Sequence, residues 1–376
     1  MKIMVIDGNS ILNRAYYGVR LLTNHEGLHT NAIYGFLSTL FRLQDIYTPD
    51  RIVVCFDVKE KTFRHLKFDS YKATRQGMPD ELAEQMPVLK EVLDAMGLVR
   101  CEQPGFEADD LIGTISQKAE QNGDTCLIVT GDRDSLQLVS DRTTVHLVSS
   151  KGKQDTSRDF TPELFQTEYG FAPAQLVDLK ALMGDSSDNI SGVPGVGEKT
   201  AHSLLAQFGT LDGVYEHLDD PSIKKGVRDK LAAGEQAARD SYWLATICRD
   251  APLPIDLTAL PAAQADNETL YDLLTRLEFK SFLTRLGLSD TERPIDTASR
   301  ARHTVQDTDS LHALLDRLAT APNVPAFVAP NLRAFALLED DTVWLAVSED
   351  FALSDWNDAL ARLFGGDIAL VLHDAK

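Results

Sequence analysis

Residues Gly105 to Asp110 read GFEADD and set Glu107, Asp109 and Asp110 within four residues of one another. Behind them Ala108, Leu111, Ile112, Ile115 and Ala119 recur at helical spacing, so the stretch opens an amphipathic helix. Acids in a first helical turn favour the helix dipole by about 0.3–1 kcal/mol and on that ground need no further purpose. Distant parts of the chain, however, send carboxylates to the same place.

Lys2 to Ile6 (KIMVI) and Arg51 to Phe56 (RIVVCF) are short apolar runs that read as buried strands, ending in Asp7 and Asp57. Thr125 to Thr130 (TCLIVT) is a third, followed by Asp132 and Asp134, and Thr143 to Val148 is one more. Helical spacing fills residues 31–46 and 80–96 between them. The alternation defines an α/β class, a mostly parallel sheet flanked by helices. Ligands of such sheets bind at the carboxyl ends of the strands, where Asp7, Asp57, Asp132 and Asp134 all fall. With Glu107, Asp109 and Asp110, seven carboxylates are expected on one edge. Past residue 150 the pattern turns helical, with helices expected at 161 onward, 173–183, 240–248 and 268–287.

The chain has 376 residues, 43% hydrophobic and 25% charged, which suits a soluble globular protein of one large domain or two ordinary ones. The apolar run at the N-terminus is too short for a signal peptide, and no stretch approaches membrane-spanning length. Cys55, Cys101, Cys126 and Cys248 form no CxxC, so reduced thiols and a cytoplasmic address are expected. The net charge of −20 argues superficially against a nucleic-acid partner, but local clustering of Lys and Arg decides that question.

Two like charges about 4 Å apart at an effective dielectric near 20 repel by about 4 kcal/mol. Seven such groups either take up protons or are neutralised by cations. Apart from Arg133, no Lys or Arg run is interleaved with them in sequence. Oxygen donors without His or Cys suit Mg²⁺ or Mn²⁺ rather than zinc. Two such ions about 3.5–4 Å apart support phosphodiester hydrolysis. A single Asp after a strand is as readily a turn or helix cap; the set together makes that reading the weaker one.

IDGNS at 6–10, FDVKEKTFRH at 56–65, FEADD at 106–110, TGDRD at 130–134 and MGDSSDNISGVPGVGEKTA at 183–201 follow in order. With SYWLATI at 241–247 and LEFKSFLTRL at 277–286, they resemble the 5′-nuclease, or flap-endonuclease-like, family, in the form found at the N-terminus of bacterial DNA polymerase I. The resemblance covers residues 1–288 and implies a PIN-like 5′-nuclease fold with two divalent-metal sites. Asp7, Asp57, Glu107 and Asp109 match the acids of the first, and Asp110, Asp132, Asp134, Asp185 and Asp188 those near the second, directly or through water. It implies hydrolysis of DNA phosphodiesters near a 5′ end or at a flap junction. The implied partners are 5′ flaps, nicks, gapped duplex and RNA primers, handled by a monomer in primer removal and repair.

Lys59, Lys61, Arg64, Lys67, Lys72 and Arg75 crowd a segment that also holds Phe63, Phe68 and Tyr71. That pattern reads either as a solvated loop with aromatic anchors or as a groove for single-stranded backbone. The resemblance makes residues 59–80 an arch over the metals, with Lys72 and Arg75 catalytic on the scissile phosphate and Lys61, Arg64 and Tyr71 contacting DNA or packing. Gly192, Gly195 and Gly197, with Lys199 and Thr200, resemble the family's helix–hairpin–helix at 184–209. Glycines there let backbone N–H groups approach phosphates, and the family implies K⁺ at the turn. A glycine-rich turn with a packing role alone is the bland alternative.

Polar residues 289–302 read as a linker. Residues 303–376 resemble the start of a 3′–5′ exonuclease-like, ribonuclease-H-like domain. Active versions carry Asp-x-Glu at the first strand end, whereas Pro325 to Asn331 reads PAFVAPN, so no proofreading is expected. Two rivals accompany the nuclease reading. A noncatalytic junction binder leaves the acids unexplained, and a small PIN-type ribonuclease leaves the arch and hairpin unexplained.

Overall fold

The computed structural model describes residues 1–75, 77–151, 154–288, 301–329, 332–340, 342–366 and 368–372. It divides into two compact units, Met1–Ser289 and Asp290–Lys376.

The first unit is built on a six-stranded sheet in the order β3-β2-β1-β4-β5-β8. Its strands are β1 (Lys2–Asp7), β2 (Arg51–Cys55), β3 (Val99–Cys101), β4 (Thr125–Thr130), β5 (Thr143–Leu147) and β8 (Arg158–Phe160). The intervening β6 (Ser150–Lys151) and β7 (Gln154–Asp155) form a separate antiparallel pair. All pairings in the main sheet are parallel except that of β8 with β5. β1 lies between β2 and β4, with Asp7 paired to Cys55 and Ile6 to Val129. Period-2 alternation splits its side chains between two cores. Ile3 and Val5 face one with Leu111, Ile112 and Ile115, and Met4 and Ile6 face the other with Ile33, Phe36 and Leu37.

The second of those cores is closed by α1 (Gly8–Gly18), α2 (Asn31–Tyr47) and α5 (Gln85–Ala95), and the first by α6 (Ala108–Gln121). The short α3 (Phe63–Lys67) and α4 (Asp80–Ala83) lie between β2 and α5. The helix expected at 80–96 is broken at Glu84 because Pro87 has no N–H to give the preceding turn. The helices that follow are α7 (Pro162–Tyr169), α8 (Leu176–Met183), α9 (Glu198–Phe208), α10 (Leu211–Glu216), α11 (Lys225–Ala233) and α12 (Glu235–Ala245). The single helix expected at 268–287 is two, α13 (Asn267–Arg276) and α14 (Lys280–Leu286), divided at Glu278 with φ +62°. These two return to α2, where Phe282 stacks on Tyr34 at 5.1 Å.

In the second unit the sheet order is β13-β10-β11-β12-β9. It comprises β9 (Ala301–Val305), α15 (Thr308–Leu318), β10 (Val324–Val328), β11 (Ala334–Glu339), β12 (Thr342–Val347), α16 (Leu353–Phe364) and β13 (Leu370–Leu372). β10, β11 and β12 form an antiparallel meander, with β13 parallel to β10 and β9 parallel to β12. Ala301 and Arg302, expected in the linker, are strand; only Val305 of β9 is buried, so no hydrophobic alternation announced it. Residues 289–300, Pro330, Asn331 and the terminal HDAK lie outside the described residues. Among the described residues no helix is long and apolar enough to cross a membrane.

Candidate active site

The carboxyl ends of β1, β2 and β4 open into a cleft of about 1010 Å³. Asp7, Asp57, Glu107, Asp109, Asp132, Asp134 and Asp185 all line it, together with Lys72, Arg75 and Lys180. Each acid is placed by a short backbone device. Asp7 ends β1 and caps α1, accepting from Ser10 N at 2.9 Å and from the Thr130 hydroxyl at 2.8 Å. Asp57 accepts the Ala108 N–H at 2.8 Å and so joins the end of β2 to the start of α6. Its own N–H donates to Oδ1 of Asn9 at 2.9 Å. Asp132 accepts the Asp134 N–H at 2.9 Å, setting both acids at the head of the 3-10 turn Arg133–Leu138.

The electrostatics are those of negative charge with too little compensation. Burial, aided by the charges of Asp57 and Asp132, raises the Asp7 carboxyl to about 7. Burial and the charges of Asp7 and Asp132 push Asp109 well above the usual range. Asp57 is raised by the protein around it, against the pull of the Ala108 N–H, although its residue surface is open to solvent.

Part of the neutralisation comes from within the chain, which the sequence spacing hid. The Lys72 ammonium lies 2.9 Å from Glu107 Oε1 and 4.0 Å from Asp188 Oδ2. Arg75 pairs with Asp188. Lys180 donates to Asp134 and, at 2.5 Å, to Asp185. Burial works against charge at Asp185, but Lys180 and the Ser187 N–H and hydroxyl hold it at about 2. Burial raises Asp134 to about 6, partly countered by Lys180. Asp185 and Asp188, three residues apart, thus serve different parts of the site: Asp185 joins Asp134, and Asp188 joins Lys72 and Arg75.

Two expectations are corrected. Asp110 is fully buried and its oxygens are already occupied. They accept from both Arg64 terminal nitrogens at 2.8 Å, from Glu107 N at 3.1 Å and from Cys248 N at 2.9 Å. It has no face toward the cleft and cannot ligate a metal. Arg64, expected on DNA, is 2% exposed, and its Nε and Nη2 also donate to the carbonyls of Leu244 and Thr246. Three residues beyond Glu107, Asp110 points a helical turn inward, while Asp109 faces the cleft. Tyr71 is 4% exposed and donates to Glu107 Oε2 at 3.1 Å, which is a packing role. Lys61 is exposed, 3.9 Å from Asp69.

The glycine turn stands between α8 and α9. Gly192 has φ +60°, and a Cβ there would lie 2.2 Å from Gly184 N. Gly195 has φ +81°, and its carbonyl accepts from Lys230 Nζ at 2.9 Å. Gly197 faces open space at the start of α9, beside exposed Lys199 and half-buried Thr200.

Lys180 was missed, although a lone lysine inside the apolar run LKALM is a readable signal for a buried ion pair. Asn13, Arg14 and Tyr17 of α1 also line the cleft, and sequence offered no sign of it.

Among the described residues no three His, Cys, Asp or Glu side chains already enclose one point as a metal cage does. Lys72, Arg75 and Lys180 stand among the acids in that role. The donor set is nevertheless all oxygen, and the raised carboxyls at Asp7 and Asp109 mark negative charge that the chain leaves uncompensated. Both fit a hard divalent cation.

An acid-lined cleft at the strand ends of a parallel sheet, followed by a helical domain, defines a class of α/β nuclease-like proteins. Residues 2–170 match the family model for the 5′-3′ exonuclease N-terminal resolvase-like domain, and residues 171–268 that for the 5′-3′ exonuclease C-terminal SAM fold. The chain belongs to the 5′-3′ exonuclease family. It is 42% identical over 295 residues to DNA polymerase I of Bacillus subtilis, covering 78% of this chain and 33% of that protein. It is 40% identical over 325 residues to that of Bacillus caldotenax, covering 86% and 36%. The chain therefore spans about a third of the length of these relatives. The bacteriophage T5 flap endonuclease, solved as a pseudo-enzyme–product complex with DNA and metal ions, shares the fold at a TM-score of 0.53. It is 22% identical, covering 74% of this chain and all of that one.

Proposed function

We propose that the first unit is a divalent-metal-dependent 5′ nuclease that cuts DNA at 5′ flaps, nicks and gaps. The observation that carries this is the convergence of seven carboxylates on one cleft with Lys72 and Arg75 among them. A DNA-binding module without catalysis gains nothing from stacked negative charge beside phosphates.

Asp7, Asp57, Glu107 and Asp109 would hold one ion, and Asp132, Asp134 and Asp185 a second. Mg²⁺ is the natural occupant and Mn²⁺ a substitute. Such a pair supplies an activated water and stabilises the leaving oxygen. The chain's own residues do the rest. Lys72 and Arg75, held by Glu107 and Asp188, turn to the non-bridging oxygens of the scissile phosphate and orient it. Lys180 keeps Asp134 and Asp185 together. Backbone N–H groups at Gly195, Gly197, Glu198 and Lys199 grip a duplex arm through its phosphates without reading sequence.

The relatives' name, DNA polymerase I, supports a place in replication and repair as the N-terminal part of such a polymerase, where RNA primers would be among the substrates. The meander β10-β11-β12 with β13 parallel to β10 supports a partial ribonuclease-H-like second unit. Val328, at the end of β10, offers no metal ligand, which supports the absence of proofreading.

The test is Mg²⁺-dependent cleavage of a 5′-flap duplex, with Asp109→Ala alongside. Cleavage lost in that variant is expected. Tight flap binding by the parent chain with no cleavage in Mg²⁺ or Mn²⁺ sinks the reading in favour of a junction binder.

A further inference from the structure

Behind the arch segment lies a second cavity, of about 550 Å³, lined by Phe63, Phe106, Arg239, Tyr242, Trp243, Thr246 and Cys248. Its wall is aromatic. Phe63 meets Phe106 at 5.6 Å and meets Trp243 edge-on at 5.5 Å. Lys67 stands 3.9 Å over the Trp243 ring and makes no ion pair among the described residues. Arg239, also at the cavity, pairs with Asp212 and Glu235.

The cavity and the cleft have no lining residue in common, but their linings are neighbours in sequence. Phe63 precedes Arg64, which grips Asp110, and Phe106 precedes Glu107, which lines the cleft. The Thr246 carbonyl, from a third lining residue, takes the Arg64 Nη2 bond. An occupant would rest against the backs of Phe63 and Phe106, one residue from groups that organise the acids.

We infer that this cavity is a stacking site for one nucleobase of the displaced single strand. The inference rests on the nuclease reading of the cleft and adds a contact outside it. Volume, ring chemistry and charge agree. The space is that of a small-ligand site and admits a base with its sugar. Aromatic rings take any base by its face, which suits a strand whose sequence is not read. Lys67, which no carboxylate neutralises among the described residues, gives the adjoining phosphates a positive group at the rim, where an apolar peptide side chain would have no use for it. Arch segment and pocket together then hold the flap on both sides of α3.

The full chain with Trp344→Phe and Trp356→Phe leaves Trp243 as the sole tryptophan. With divalent ions chelated, a 5′-flap duplex bearing a long oligothymidine arm should quench its emission saturably, and a blunt duplex should not. Equal quenching by both, or none by the flap, overturns the inference. In case those variants misfold, the unmodified chain is irradiated with a flap carrying 5-iodouracil. Crosslinks in the peptides holding Phe63 or Trp243 are expected, and crosslinks confined to other segments overturn the site. Trp243→Leu should raise KM about 5- to 10-fold for the long flap while leaving kcat and nicked-duplex cleavage unchanged. A loss shared equally by both substrates would mean a merely structural role. Cleavage of nicked duplex by the parent reports separately on the nuclease reading.

Discussion

Lys72 holds its ammonium 2.9 Å from Oε1 of Glu107, a residue at the head of α6. Burial works against that charge, yet Glu107 and Asp188 more than offset it, and the Lys72 pKa is raised. The lysine is therefore cationic across the physiological range and neutralises acids of the cleft. Lys72→Ala is expected to lower single-turnover cleavage at least tens-fold while changing duplex affinity less than about threefold. Stopped-flow cleavage in Mg²⁺ and anisotropy in Ca²⁺ measure the two. Equal losses would make Lys72 an anchor only.

The raised Asp7 carboxyl carries a stability signature. Its folded pKa of about 7 exceeds the ordinary 3.8, so the folded chain binds the extra proton between those values. Stability from this group is present at low pH and lost as pH rises through about 7. Metal-free Asp7→Asn should therefore be more stable than the parent at pH 8, by up to about 4 kcal/mol on the linkage conversion. At pH 4 the two should be nearly equal. Urea unfolding in chelator at both values checks it, and a gap that is constant with pH rules it out.

Arg64 and Asp110 form a buried pair with both terminal nitrogens engaged. Removing either partner alone leaves a buried charge, and Arg64→Met or Asp110→Asn should cost about 3–5 kcal/mol. The double variant should recover a large part, giving a positive coupling in a double-mutant cycle. Calorimetric titration with Mn²⁺ is the second check. Asp110→Asn should keep the parent's ion stoichiometry, because its oxygens do not face the cleft.

Gly192 and Gly197 should separate folding from binding in the hairpin. A methyl at Gly192 meets the Gly184 backbone from a left-handed conformation, so Gly192→Ala should destabilise by about 2–4 kcal/mol. At Gly197 nothing lies within 4 Å of the added carbon. Gly197→Ala should keep the parent melting temperature and lose duplex affinity several-fold. Unchanged affinity would assign the turn a packing role.

Much of this was legible because strand ends and helix starts leave plain marks. Apolar runs of five or six residues marked β1, β2 and β4, and Asp7, Asp57, Asp132 and Asp134 stand at or just past their ends. GFEADD was legible as a helix start but not as a division of labour. Helical phase separates Asp109 from Asp110 by about 100° per residue, and which phase faces the cleft depends on packing against β1 and β2. Arg64 and Lys180 were hidden for a related reason, since a basic residue's fate depends on which distant acid it meets. The three-residue β3 and the mostly exposed β9 are too short or too polar to show alternation.

Lys72 has φ +54° and Asn189 φ +56°, and the two are neighbours in space. The Lys72 N–H donates to the Asp188 carbonyl at 3.0 Å, and the Asn189 amide donates to the Ser70 carbonyl at 2.7 Å. Two kinked segments, one in the arch stretch and one leading into the glycine turn, are thus buttoned together at the backbone. On the proposed reading, a strand that pries the arch stretch open would have to undo those fastenings and so free the segment leading into the glycine turn. Threading of one strand and clamping of the other would then be mechanically a single movement.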